Sequence, residues 1–146
     1  MTPSVRLATS ADAELCLEYE AQARRAIDGA RGAEAMFATY PNGFLLPGHD
    51  GWSLVAEVDS VVVGFATVHM DRTTRPPAAV LTRIYVTPAA RKVGIGDALI
   101  AGVKSTARDR GCVRMDAVSL PGDRDTKNLY ERNGLTARLI VAASAL

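Results

Sequence analysis

The residues best placed to do chemistry lie in one stretch, Ile84-Tyr85-Val86-Thr87-Pro88-Ala89-Ala90-Arg91-Lys92-Val93-Gly94-Ile95-Gly96. An apolar run ends at a proline, and an Arg-Lys-x-Gly-x-Gly loop runs straight into a helical pattern that begins at about Gly94. Glycines let a ligand approach the main chain, and the first N–H groups of a helix have no partner inside it. With the positive end of the helix dipole behind them, such groups suit a phosphate. Arg91 and Lys92 would add charge-assisted contacts.

Three readings of this loop are open. A dinucleotide-binding fingerprint requires its first glycine almost directly after the strand and a third Gly or Ala where Leu99 stands. Here a seven-residue turn intervenes, although Asp116 does follow Gly96 by 20 residues. A P-loop requires GxxxxGK[ST], which does not occur. A glycine-rich turn with solvated cations is the purely structural alternative. Elsewhere, Cys16 and Cys112 stand alone, with no CxxC and no histidine at ligand spacing. They are expected to be buried thiols in a reducing, cytoplasmic compartment, with no metal site.

The elements that must position the loop follow from periodicity and punctuation. Val5 to Ala8 is a short strand; Ser10 can cap a helix with Asp12 and Glu14 in its first turn and a stripe of Leu15, Tyr19, Ala23, Ala26 and Ile27. A second helical piece runs from about Glu34 to Thr39. Trp52 to Val58 and Val61 to Met70 are strands joined by a tight turn at Asp59-Ser60, and Ala79 to Val86 is a fourth strand. A helix from about Gly94 to Arg110 buries Ile95, Leu99, Val103 and Ala107, and Gly111 ends it. Val113 to Val118 is a strand, Arg124 to Asn133 a short helix closed by Gly134, and Thr136 to about Ala143 a last strand. The fold class is α/β (α+β): one domain with a mixed, mostly antiparallel central sheet flanked by helices.

The chain of 146 residues is 48% apolar and 23% charged, which suits one globular core and excludes disordered or disulfide-scaffold classes. Its longest apolar stretch, Leu139 to Leu146, is far short of the roughly 20 residues that cross a bilayer, so no membrane is expected. The formal charge of +1 conceals a split: residues 1–71 carry 4 basic and 10 acidic side chains, residues 72–146 carry 13 and 6. A basic half in a nearly neutral chain points to a polyanionic ligand on one side rather than to nucleic acid. The two signs could also meet across the fold.

The loop and its surroundings resemble the GNAT superfamily of N-acetyltransferases. That family's motif is a strand ending L/I-x-V-x-P, then [R/Q]-x-x-G-x-G/A and a helix, as in Ile84 to Pro88 followed by Arg91 to Gly96. A second feature, Y-x-x-x-G-F, is matched by Tyr130-Glu131-Arg132-Asn133-Gly134-Leu135 with Leu for Phe. The resemblance implies a GNAT-like fold and acetyl-coenzyme A as co-substrate. The pyrophosphate would lie on the amides of Val93 to Asp97, and the pantetheine along Ile84, Tyr85 and Val86. The amide of Val86 would face the acetyl carbonyl, and Tyr130 would act as general acid.

Two departures bear on the chemistry. Asp123 stands where many members have an Asn that holds the pantetheine; Lys127 and Asn128 could contribute contacts instead. Arg83 occupies a position often held by an acid, which implies an acceptor with a carboxylate or phosphate or a weakly basic amine, unless Arg83 points away and pairs with an acid. The base is unassigned: His69, Glu34, Glu57 and a water relay are the candidates. The family resemblance implies an acceptor wall at Ala30 to Phe37 and near Phe44. Members commonly end in a strand hairpin, so a lone apolar last strand implies a homodimer covering it. The expected function is acetyl transfer to an amine of a small molecule or protein, with a non-catalytic acetyl-coenzyme A-binding domain and a dinucleotide-binding domain as alternatives.

Overall fold

Alternating apolar strands at the centre of the sequence build the sheet that carries everything else. The computed structural model describes residues 2–146. In chain order the elements are β1 (Ser4–Leu7), a 3-10 turn (Ser10–Asp12), α1 (Ala13–Ala26), α2 (Ala33–Thr39), β2 (Gly51–Val58), β3 (Val61–Asp71), β4 (Ala78–Val86), a second 3-10 turn (Pro88–Ala90), α3 (Ile95–Asp109), β5 (Arg114–Ala117) and α4 (Arg124–Arg132). The strands lie in the order β1-β2-β3-β4-β5. Every neighbouring pair is antiparallel except β4 and β5, which α3 joins as a parallel crossover.

The two faces of the sheet carry different cores. On one, Leu54, Ala66, Val68, Leu81 and their neighbours pack on the buried stripe Ile95, Leu99, Val103 and Ala107 of α3, as its 3.6-residue period requires. On the other, Val55, Phe65 and Tyr85 pack on Cys16 and Tyr19 of α1. Cys16 and Cys112 are thus buried on opposite faces and are free thiols. Burial pushes the Cys16 thiol up to about 12.

One irregularity in β4 matters for the rest. The pairing with β3 runs Thr67 to Arg83 and then Val68 to Leu81, so Thr82 is an extra residue. Two consecutive side chains, Thr82 and Arg83, therefore face the α1 side, and the inward phase moves from Ala79 and Leu81 to Ile84 and Val86.

The structure corrects two expectations. Thr136 to Ala143 forms no strand: residues 135–146 lack regular structure, and Leu139, Ile140 and Val141 are 83%, 92% and 81% exposed. An isolated apolar run gains strand structure only from a ladder, and this run pairs with no strand among the described residues. At the start of α1, Ser10 does not cap; the Asp12 carboxylate accepts from the Thr9 N–H at 2.8 Å and from Arg6 at 2.8 and 2.9 Å.

The β2–β3 turn offers a test. Asp59 and Ser60 have φ of 51° and 66°, the left-handed pair that a two-residue hairpin with right-handed twist requires. An L side chain there costs on the order of 1 kcal/mol. Ser60→Gly is expected to raise stability by roughly 0.5–1 kcal/mol in urea unfolding; a lower midpoint would show that the Ser60 side chain stabilises the turn.

Candidate functional site

A cleft of about 800 Å³ opens where β4 and β5 part. The two strands pair only from Ala78 with Arg114 to Leu81 with Ala117, and the last link is Val118 N–H to Leu81 O at 3.1 Å. Beyond it, one edge of β4 from Thr82 to Val86 lines the cleft with no strand beside it. Thr87 N–H donates to Val63 O at 2.8 Å on the β3 side. Because antiparallel pairing alternates, the N–H and C=O groups of Ile84 and Val86 point the other way, into the gap. Consistent with this, the Val86 carbonyl accepts from Arg91 Nε at 2.8 Å.

At one end of the cleft lies the loop entering α3. Lys92 and Gly94 adopt left-handed φ of 66° and 86°, and a Cβ on Gly94 would meet no atom within 4 Å. The first helical bond runs from Ala98 N–H to Gly94 O at 3.0 Å, which leaves the amides of Ile95, Gly96 and Asp97 without a partner inside the helix. Gly96 is needed for packing: a Cβ there would lie 3.0 Å from Leu129 of α4. The Asp97 carboxylate turns to α4, where Arg132 at 3.0 Å and Asn133 at 2.7 Å hold it below the usual carboxylate range. This end therefore offers backbone N–H groups and cations to a ligand, with its nearest acid already paired.

In the middle, Tyr130 of α4 reaches the gap from the α3 side. It is 7% exposed, and its hydroxyl donates to Val118 O at 2.9 Å, just past the last β4–β5 bond. Burial raises the phenol well above its usual value, so it holds its proton at neutral pH. Asp123, also lining the cleft, caps α4 by accepting from Thr126 N–H at 3.2 Å.

At the other end, Ala23 and Ala26 of α1, Ile27 just past it, and Met36 and Phe37 of α2 form an apolar wall. Arg83 lies at its base, 5% exposed. Its Nε donates to both oxygens of Glu20 at 2.8 and 3.0 Å, and its terminal nitrogens reach the carbonyls of Thr82 and Tyr40. Arg24 donates to the same Glu20 oxygen at 3.0 Å. Both guanidiniums lie over the Phe37 ring, at 4.2 Å for Arg24 and 4.8 Å for Arg83.

A model of the acetyltransferase (GNAT) family matches residues 15–135. The chain belongs to the GNAT acetyltransferase family. It is 27% identical over 137 residues to an uncharacterized N-acetyltransferase, YhfO, of Bacillus subtilis (strain 168), covering 90% of this chain and 88% of that protein. Its fold is similar to a ribosomal-protein-alanine N-acetyltransferase of Brucella melitensis biovar Abortus 2308, with a TM-score of 0.76, 22% identity and 99% of each chain covered. It is also similar to the aminoglycoside N-acetyltransferase AAC(6')-Iy in complex with CoA, with a TM-score of 0.70, 19% identity, and 98% of this chain and 100% of that chain covered.

Of the site residues expected in this acetyltransferase, the cleft brings together Arg83, Ile84, Tyr85, Val86, Arg91, Lys92, Gly94, Ile95, Gly96, Asp97, Asp123, Asn128 and Tyr130. Val93 and Lys127 are not part of its lining. Glu34 is exposed on α2 outside it, Glu57 pairs with Arg6 at the β1–β2 edge, and Phe44 packs into the α1-side core. His69 also lies outside the lining: its Nδ1 meets Thr82 Oγ1 at 2.8 Å, its Nε2 is buried without a partner, and burial lowers its pKa. Met36 and Phe37, from the stretch read as an acceptor wall, line the cleft, whereas Glu20 and Val118 were not anticipated. Glu20 carried a signal, since it falls on the buried side of α1 with Cys16 and Tyr19, where a carboxylate requires a cationic partner.

That pair is testable. Glu20→Gln would leave the Arg83 cation buried without its counter-charge, and a loss of roughly 3 kcal/mol is expected in chemical denaturation. A change below about 1 kcal/mol, the range of an exposed pair, would mean that water reaches Arg83.

Proposed function

We propose that this GNAT-family chain transfers an acetyl group from acetyl-coenzyme A to an amine of a small molecule or a protein. The observation that carries the reading is the open edge of β4, with the N–H groups of Ile84 and Val86 turned into a cleft that ends on the amides opening α3. Acetyl-coenzyme A brings its acetyl group as an activated thioester and its pyrophosphate as a dianion. Gly94 to Asp97 would hold the pyrophosphate on main-chain N–H groups, with Arg91 and Lys92 balancing its charge. The unpaired edge from Ile84 to Val86 would hold the pantetheine amides as a strand is held.

The chemistry needs charge stabilisation at one oxygen and a proton at one sulfur. The Val86 N–H would face the carbonyl oxygen as negative charge develops on it, a contact of a kind whose loss costs about 10²–10³ in rate. A C–N bond forms, the C–S bond breaks, and the proton lost by nitrogen is balanced by one gained at sulfur. Tyr130 would supply that second proton, by turning its hydroxyl from Val118 O to the sulfur; its raised pKa keeps the proton available across the neutral range. The amine proton leaves to water at the open end of the cleft, and the tyrosinate left on Tyr130 regains a proton from water. The buried free thiols suit a reducing, cytoplasmic setting.

Tyr130→Phe is expected to lower kcat by ~10²–10³ while the acetyl-coenzyme A Kd stays within about twofold. The readouts are thiol release across an amine panel and calorimetric titration. Unchanged kcat would remove Tyr130 from proton transfer, and absence of heat with acetyl-coenzyme A would overturn the whole reading.

The exposed run Leu139 to Val141 supports a second part of the proposal, a homodimer in which a partner chain covers it. Light scattering at micromolar concentration is expected to give twice the chain mass, and Ile140→Asp to shift it toward one. A monodisperse monomer for the parent protein would end this part.

A further inference from the structure

We infer that the acceptor is a small apolar amino-carboxylate, in the manner of an α-amino acid with an apolar side chain, and not a polycation. The inference rests on the acetyl-transfer reading above and concerns the α1–α2 end of the same cleft. Three observations converge on it.

The first is charge. Glu20, Arg24 and Arg83 form one cluster with two guanidiniums and one carboxylate, and among the described residues Glu20 is the only acid paired with either cation. The acids that line the cleft itself, Asp97, Asp123 and Asp125, belong to α3 and α4; Asp97 is held by Arg132 and Asp123 caps α4. Asp28 and Arg31 flank a shallower hollow beyond Ile27 and offset each other. Arg83 lines the cleft, whereas Arg24, 42% exposed, lies outside its lining and stands over Phe37, which lines it; the cluster as a whole carries one positive charge more than its single acid offsets. A second cation entering here would lose its water and find no anion, while a carboxylate would complete a two-cation, two-anion cluster.

The second is donor count. Arg83 uses its Nε–H on Glu20 and one N–H of each terminal nitrogen on the carbonyls of Thr82 and Tyr40; among the described residues two of its five N–H groups have no protein partner. Arg24 uses only its Nε–H, on Glu20, which leaves its four terminal N–H groups without a protein partner among the described residues. The Phe37 ring centre lies 4.2 Å from the Arg24 guanidinium carbon and 4.8 Å from that of Arg83. Planar, anchored guanidiniums with spare donors match a carboxylate geometrically, not only in charge.

The third is the wall. Ala23, Ala26, Ile27, Met36 and Phe37 supply no hydrogen-bonding side chain, so a polyhydroxylated or polyamine scaffold would leave its polar groups unsatisfied there. An apolar side chain would lie on this wall, its carboxylate toward Arg24 and Arg83 and its amine toward the Val86 end of β4.

The test separates binding from turnover. With coenzyme A-loaded protein, calorimetric titration compares L-phenylalanine and L-methionine with phenethylamine, which lacks the carboxylate, and with kanamycin, a polyamine sugar. With acetyl-coenzyme A, thiol release is followed for the same set. The expected result is at least tenfold tighter binding and tenfold higher kcat/KM for an apolar amino acid over phenethylamine, with kanamycin weakest. Arg24→Gln, at a half-exposed side chain, is expected to bring the ratio toward one, and Arg24→Lys to retain part of it. Equal affinities with and without the carboxylate, preference for kanamycin, or an unchanged ratio in Arg24→Gln overturns the acceptor assignment. Selective binding of the amino acids with no thiol release upholds the assignment and overturns acetyl transfer instead.

Discussion

The structure depends on a limit to strand pairing. β4 is hydrogen-bonded on both sides only as far as Leu81, and the extra residue at Thr82 marks where it stops. A two-for-one step in a ladder increases local twist and re-aims the side chains that follow. Here it turns Thr82 and Arg83 to the same face and starts the stretch of β4 that β5 does not follow. Without that departure, Val86 would carry an ordinary ladder bond to a neighbouring strand, and the cleft would be filled by chain. Tyr130 supports the parted geometry from below, because its hydroxyl satisfies Val118 O where β5 has left the ladder.

The cleft has two chemically different ends because two different pairs of elements close it. The α3–α4 end presents main-chain donors and has its acid, Asp97, tied off by Arg132 and Asn133. The α1–α2 end is apolar above a buried ionic cluster. Burying Arg83 would be prohibitive alone; with both Glu20 oxygens on its Nε and two carbonyls on its terminal nitrogens, most of its hydration is replaced. The cluster also locks α1 and α2 to β4, since Tyr40 follows α2 directly. The apolar wall of the cleft is thus held in place by the bonds of the ionic cluster beneath it.

The charge split along the chain takes a more limited form in three dimensions. Arg91 and Lys92 do line the α3 end, as a polyanion would require, but Lys127 does not. Several other cations of the second half are spent on internal partners: Arg83 on Glu20, Arg132 on Asp97, and Arg110 over the Trp52 ring at 4.9 Å. A total counts charges without their partners, so it anticipated the cations at the α3 end of the cleft and said nothing about the buried cluster at the α1–α2 end.

How much was legible in the sequence divides by range. The loop from Arg91 to Gly96, the helix behind it, the strand before it and Tyr130 four residues ahead of Gly134 were legible because glycine, proline and helical period act within a few residues. The amphipathic stripe of α3 and the left-handed turn at Asp59-Ser60 belong to the same class. Three things only the tertiary structure decided. Arg83 could be read as a free cation until Glu20, 63 residues away, was brought against it. The bulge at Thr82 arises from the register of β3 with β4, which no local pattern encodes. Residues 136–143 have the composition of a strand and lie unpaired, because a strand, unlike a helix, must find its hydrogen bonds in another segment. The sequence by itself therefore determined the glycine-rich loop and the helix behind it; the packing of α1 and α2 on β4 decided what lines the opposite end of the cleft.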